Sequence, residues 1–289
     1  MNQRKWREWI LSLPSMGWLI FFFVVPTLLV CLIAFKPRDI NGGIGAGWTF
    51  GTWADIAQPS YPMVLWRTFW LSAATTAICM LLSIPVSYYL ARLPREKRNW
   101  MLILIIMPFW TNFLIRIFAW WSLLHSEGWL KHSLVWIGVA NENTQLLYNE
   151  WAVLMVLVYT YLPFAILPLY ASAEKFDFGL LDAARDLGAN RFQAFMKVFI
   201  PGISQGLVTA FVVVFIPALG SYAIPEIIGG PTSEMIGDKI AQKVFVDRNL
   251  PHASALATIL ALVVLLPVIY SIFIRNFWQK EKSHGGKRQ

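Results

Sequence analysis

Charge is what this sequence has least of. Asp, Glu, Lys and Arg make up 14% of its 289 residues, against about 25% in a soluble domain. With 57% hydrophobic residues, such a chain reads first as a membrane protein. Cysteine is nearly absent. Cys31 and Cys79 both fall inside apolar runs, where a thiol packs as a small hydrophobe, so neither a disulfide nor a metal pair is implied. The four histidines (His125, His132, His252, His284) are scattered without metal-ligand spacing. No cluster of His, Asp, Glu or Cys lies at membrane depth, which argues against an integral-membrane enzyme. A G-x-x-x-x-G-K-[ST] phosphate loop is also missing: "HGGKRQ" at the tail lacks the first Gly and the Ser/Thr. Hydrolysis of ATP is therefore not expected of this chain. The net charge of +8 would suit nucleic acid only with a basic stripe on a soluble face. Here the basic residues sit in short segments between apolar runs, so no nucleic-acid partner is expected.

What is present is a series of apolar stretches. A bilayer core needs roughly 20 apolar residues per helix, and six runs qualify: Gly17–Phe35, Thr68–Ala91, Trp100–Leu124, Trp151–Ala173, Ile203–Pro225 and Ala253–Ile274. Pro85, Pro108, Pro163, Pro217 and Pro267 lie inside them, as membrane helices tolerate. Lys and Arg set the direction. Sixteen of the 24 fall on one side: Arg4–Arg7, Arg92–Arg98, Lys175–Lys197 and the tail from Arg275. Seven fall on the other: Lys36, Arg38, Arg67, Lys131, Lys239, Lys243 and Arg248. Both termini are then cytoplasmic. The first run has no small-residue cleavage site and is read as a retained anchor. "NGGIGAG" (Asn41–Gly47) and "IGGPTSE" (Ile228–Glu234) are Gly-rich turns. No internal repeat or matched pair of interrupted helices appears, against an inverted-repeat carrier.

Between the fourth and fifth runs stands "LLDAARDLGANRFQAFMKVFIPG" (Leu180–Gly202), amphipathic and charged. Leu180, Ala183, Ala184 and Leu187 follow helical i, i+3, i+4, i+7 spacing, and Phe192, Phe195, Met196 and Phe199 repeat it. Gly188 is placed to end the first helix. Asn190 with Gln193 forms a variant capping box for a second, and Pro201 starts the next span. The bland reading is a helix resting on lipid headgroups. Small alanines and a glycine bend favour close approach by another protein.

Asp182-Ala183-Ala184, Gly188 and Ile200-Pro201 before a span resemble the "EAA" loop of ABC importer permeases, with Asp182 in place of the more usual Glu. "PFWTNFLIRIFAW" (Pro108–Trp120), "YTYLPFAILPLY" (Tyr159–Tyr170) and "FIPALGSYAIPEIIGGP" (Phe215–Pro231) look like spans of the polyamine branch of type I ABC importers. The resemblance covers Arg67 to Ile274. It implies an all-α integral membrane protein of six transmembrane helices: an N-terminal segment of residues 1–66, a permease core 67–274 with a coupling loop 178–201, and a basic tail 275–289. It implies coupling to an ATPase through Asp182, Ala183, Ala184, Arg185 and Gly188. It also implies two ATPase subunits that hold ATP and Mg²⁺, a second permease, an extracytoplasmic solute-binding protein, surrounding lipid, and no cofactor on this chain. The cargo would be putrescine or spermidine, and neighbouring branches carry iron, opines or other small solutes. An extended polycation suits aromatic faces and a few carboxylates, which makes Trp110, Tyr159, Tyr161, Tyr222 and Glu226 candidates for the path. An interfacial belt would also hold many of the fifteen tryptophans. Glu234, Asp238, Lys239, Asp247 and Arg248 are candidates for docking the binding protein. A channel or ion-coupled carrier would show intramembrane charge. Arg116 is the one clear case, and a pairing or snorkelling role explains it as well.

Overall fold

The computed structural model describes residues 3–40, 42–58, 60–138, 141 and 143–265, with backbone alone for 3–10. Helix α1 (Gln3–Leu19) runs through a π turn, Ile20–Val24, into α2 (Val25–Ile33). There follow α3 (Gly51–Ile56), α4 (Ser60–Arg92), α5 (Arg95–Ile106), α6 (Phe113–Leu124), α7 (Trp129–Trp136) and α8 (Glu150–Glu174). The rest is α9 (Gly179–Asp186), α10 (Arg191–Ala194), α11 (Ile200–Gly202), α12 (Ser204–Leu219), α13 (Ile236–Phe245) and α14 (Leu250–Leu265). Among the described residues the one β feature is an isolated bridge between Arg38 and Ile44. The fold is all-α, as expected.

Three helices are long and apolar enough to cross a bilayer unaided: Leu11–Ile33, α4 and α8. Two further candidates are broken. Arg95–Trp110 meets Phe113–Trp136 at 88°, and Arg191–Gly202 meets α12 at 69°. Counting each bent pair as one span gives five among the described residues. The sixth expected run, Ala253–Ile274, extends past the last described residue, as do Pro267, His284 and the basic tail.

Two expected spans need correction. Trp100–Leu124 is not one helix. Around Pro108 the chain tightens into a 3-10 turn, Met107–Trp110. The Thr111 hydroxyl closes that turn by donating to the Pro108 carbonyl (2.7 Å). Asn112 then starts α6 as an N-cap, its Oδ1 accepting from the Leu114 N–H at 2.8 Å. Ile203–Pro225 is shorter than expected. Pro201 lies in α11, before the bend, and α12 ends at Leu219. Residues 225–229 form a separate π turn.

By contact the chain forms two compact units, Met63–Asp238 and the described residues on either side of it. In the first, α8 is the central helix. Near its start it packs Val153, Val156 and Leu157 with Leu71, Ile117, Ile224 and Met235. Near its end Ala165, Leu169 and Ala173 meet Cys79, Leu181, Phe199, Ala210 and Val214. Lipid tails are as apolar as Leu, so helices here associate through small residues that let backbones approach. Helix α4 turns a buried row of Thr68, Ser72, Thr75, Thr76, Ser83 and Ser87 inward. The Ser87 hydroxyl donates to the Ile166 carbonyl at 3.3 Å. Gly206 of α12 sits so near α8 that an added Cβ would lie 2.5 Å from Ser172 Oγ. Ion pairs hold α8 at both ends: Arg67 Nε to Glu150 Oε1 at 2.7 Å and Arg98 Nη1 to Glu174 Oε1 at 3.1 Å.

In the second unit the segment after α2 is tied to the segment after α13. The Gly43 N–H donates to the Arg248 carbonyl (2.9 Å), and Arg38 Nη2 to the Asp247 carbonyl (3.0 Å). The "NGGIGAG" turn takes Gly42, Gly43 and Gly47 to φ near +90°, a region that favours glycine. Lys243 Nζ lies 2.6 Å from Asp247 Oδ2. That hydrogen bond holds the Asp247 carboxyl below its ordinary range, and the charges of Lys243, Arg38 and Lys239 add to it.

Candidate functional site

The corner from α9 to α12 is built from local signals. Ahead of α9, Asp177 Oδ1 accepts the Gly179 N–H at 2.9 Å. At the other end Gly188 adopts φ +90°, its N–H donates to the Arg185 carbonyl (2.9 Å), and the Ala189 N–H reaches back to the Ala184 carbonyl (3.1 Å). This crossed pair is a Schellman cap. Two residues on, Asn190 Oδ1 accepts the Gln193 N–H (2.7 Å) and Gln193 Oε1 accepts the Asn190 N–H (3.1 Å), a complete capping box. Between two capped ends the chain turns sharply, so hydrogen bonds within the corner set the direction of α9.

The two apolar faces expected here do not both point inward. Leu181 of α9 is buried in the chain's own core, and Ala184 packs against it. Leu180 is 51% exposed and Leu187 is 90% exposed. Ala183 is exposed, and Ala184 is half-buried. In the second half a π turn, Phe195–Phe199, inserts a residue into the helical repeat. Phe195 and Phe199 stack at 5.2 Å within the core, while Phe192 and Met196 face outward. Arg185 Nη1 pairs with Asp182 Oδ1 at 3.2 Å. Asp182, Ala183, Ala184, Arg185 and Gly188 thus form one ledge whose outer edge, Leu180–Ala183–Leu187, no part of the chain covers among the described residues.

The candidate path residues are less gathered. Tyr159 and Tyr161 are two apart on α8 and so face different sides. Tyr159 meets Trp120 of α6 edge-on at 5.2 Å. The Tyr161 hydroxyl donates to the Pro217 carbonyl of α12 at 3.1 Å. Trp110 is 77% exposed at the break between α5 and α6. Tyr222 and Glu226 lie beyond the end of α12, both exposed, with the Glu226 N–H on the Tyr222 carbonyl at 3.1 Å. Arg116, half-buried, has no carboxylate partner among the described residues. Its guanidinium lies over the Phe109 ring (4.8 Å) and near Phe113 (5.9 Å), and Phe109 packs edge-on against Phe164 at 5.0 Å. The ion pairs of Arg67 and Arg98 were missed in sequence, because nothing local marks a partner 76 or more residues away. The close approach at Gly206 was missed as well. Its signal is a small residue facing another small residue, Ser172, which becomes legible once α8 and α12 are paired.

The corner, the broken helices and the small-residue seams can be set beside known proteins. The permease protein PotB of the spermidine/putrescine transport system of Haemophilus influenzae is 35% identical over 90% of this chain and 90% of its own. Its counterpart in Escherichia coli K12 is 34% identical over 92% and 94%. A more distant relative from Escherichia coli, the inner membrane ABC transporter permease protein YdcU, is 27% identical over 76% and 73%. In fold, the chain is similar to a bacterial ABC transporter involved in the import of the acidic polysaccharide alginate, with a TM-score of 0.70 at 18% identity over 94% of this chain and 96% of that one. Residues 83–279 match the family of binding-protein-dependent transport system inner membrane components. With that match over most of its length and with permeases aligned along nine-tenths of it, the chain belongs to that family, the permease subunits of type I ABC importers.

Proposed function

We propose that this chain is a translocation subunit of an ATP-driven importer that carries polyamines, putrescine and spermidine, into the cytoplasm. The substrate class is supported by two relatives named for spermidine and putrescine that align along nine-tenths of this chain. Energy comes from partner ATPase subunits, which hold ATP and Mg²⁺. A solute-binding protein delivers the cargo, and a second, paralogous permease completes the path. Both termini face the cytoplasm. In support, Arg67 and Arg98, assigned to opposite sides by the charge count, meet opposite ends of α8.

One observation carries the coupling role: an apolar edge, Leu180–Ala183–Leu187, on a helix capped at a fixed angle, with Leu187 90% exposed. An edge of small and branched residues suits a groove on a partner. Closure of the ATPase pair on ATP would draw such ledges together and rock the spans they are joined to, a hinge or shear motion. Asp182 and Arg185 would set docking register. Tyr159, Tyr161, Trp110 and Tyr222 offer ring faces to a passing polycation, and Glu226 offers a carboxylate. The loops at Arg38 and Arg248, tied to each other by hydrogen bonds, offer the binding protein a surface.

The test is uptake in cells lacking their own polyamine importers, with the permeases, ATPase and binding protein expressed together. Labelled putrescine and spermidine should accumulate, and Leu187→Asp should abolish both accumulation and retention of the ATPase on the purified complex. Uptake of an opine or an iron chelate with no polyamine transport would overturn the substrate. Normal ATPase retention by Leu187→Asp would overturn the coupling edge.

A further inference from the structure

The corner has a second side, away from the Leu180–Leu187 edge. Tyr88 and Arg92 from α4, Asp182 and Arg185 from α9, and Arg191 and Phe195 are among the residues lining a cavity of about 370 Å³, within the size range of ligand sites. Three guanidiniums face it and one carboxylate. Arg185 is paired with Asp182. Arg92 donates to the Tyr88 hydroxyl at 2.8 Å and lies over the Tyr88 and Phe178 rings at 5.3 and 5.5 Å, and its charge meets no anion among the described residues. The Arg191 side chain has no hydrogen bond or ion pair among the described residues. The cavity therefore holds two cationic forks without a counter-charge above a floor of aromatic rings.

Its place at the end of a membrane-spanning helix suits a lipid headgroup. Arg92 is the last residue of the 33-residue helix α4. Arg191 opens the segment Arg191–Gly202, which passes as membrane-spanning only together with α12 and is bent from it by 69°. With α12 along the membrane normal, a segment bent so far from it would run nearer the bilayer plane, and its Phe192 and Met196, 71% and 47% exposed, would be placed to enter the acyl region. Basic pockets between helices at this level bind anionic headgroups, and the planar guanidinium fork fits phosphate oxygens in pairs. We infer that this cavity seats the phosphate of an anionic phospholipid, with Arg92 and Arg191 on the phosphate and Tyr88 and Phe195 against the glycerol. The corner would then have two partners: protein on the α9 edge and lipid under α10. This inference needs neither the polyamine substrate nor docking on α9.

The experiment is native mass spectrometry of the delipidated permease complex titrated with phosphatidylglycerol, with phosphatidylcholine of the same chains for comparison. Phosphatidylglycerol should bind and phosphatidylcholine should not. Arg191→Gln should weaken phosphatidylglycerol roughly fivefold, at the usual strength of one basic residue near a membrane surface. Arg92→Gln with Arg191→Gln should weaken it further, and Arg191→Lys should fall between. Lys97→Gln, which lies outside the cavity, should leave binding unchanged. Equal weakening by Lys97→Gln would mean diffuse attraction and overturn the site. So would equal binding of phosphatidylcholine, or displacement of the lipid by inorganic phosphate at matching affinity, which would mark a free-anion site. A double variant that keeps its lipid but loses the ATPase would assign the cavity to protein.

Discussion

Arg116 spends its charge on rings. A guanidinium over Phe109 and near Phe113 braces the break between α5 and α6, and such contacts are worth about 0.5–2 kcal/mol. Arg116→Ala should therefore lower the melting temperature and yield of the purified complex, while Arg116→Lys keeps some of the effect. Uptake per assembled complex should persist in both. Full assembly with no uptake would assign Arg116 to the path. Gly206 acts by absence. Any side chain there meets Ser172 and the Pro168 carbonyl of α8, and overpacking costs about 1–3 kcal/mol. Gly206→Val should cut the monodisperse fraction on fluorescence-detected gel filtration, and Gly206→Ala with Ser172→Gly should recover most of it. Failure of that pair to recover it, or full tolerance of Val, would show that α12 and α8 are not pressed together here.

At the scale of elements, the corner is set by Gly188, whose φ of +90° strains a β-branched residue although nothing stands within 4 Å of an added Cβ. Gly188→Val should leave the spans inserted but uncouple ATP hydrolysis from uptake in vesicles. Gly188→Asn, which tolerates that region, should transport nearly as well as the parent. Equal transport by both variants would remove the bend from the mechanism. The caps at Gly188 and Asn190 were legible in the sequence because they are local: a glycine, and an Asn three residues before a Gln. The broken helix at Thr111–Asn112 was not read, since an apolar run looks continuous across a single N-cap. The π turn at Phe195 shifted a face by one residue, which no 3.6-residue repeat could anticipate. Amphipathic spacing marked Leu180 and Leu187 as one apolar face but could not say whether this chain or another covers it.

For the whole molecule, sidedness is the expectation to test. Gly45 is a poor labelling site, since an added Cβ would stand 3.0 Å from the Pro37 carbonyl. Ile40, 98% exposed, is a better one. Ile40→Cys should react with an impermeant maleimide in intact cells, and Leu187→Cys only after lysis. The reverse pattern would invert the topology.

Glu150 and Glu174 stand 24 residues apart on one helix, roughly 36 Å at 1.5 Å per residue, and each is tied to an arginine. A hydrocarbon core is about 30 Å thick, so with α8 near the membrane normal and centred in it both ion pairs would lie just outside that core. That makes α8 a gauge of membrane thickness. A thinner bilayer leaves both pairs in water, whereas a thicker one draws at least one into the acyl layer, where charge is costly. Activity in vesicles should fall more steeply with longer lipid chains than with shorter ones, and Arg67→Leu with Glu150→Leu should flatten that asymmetry.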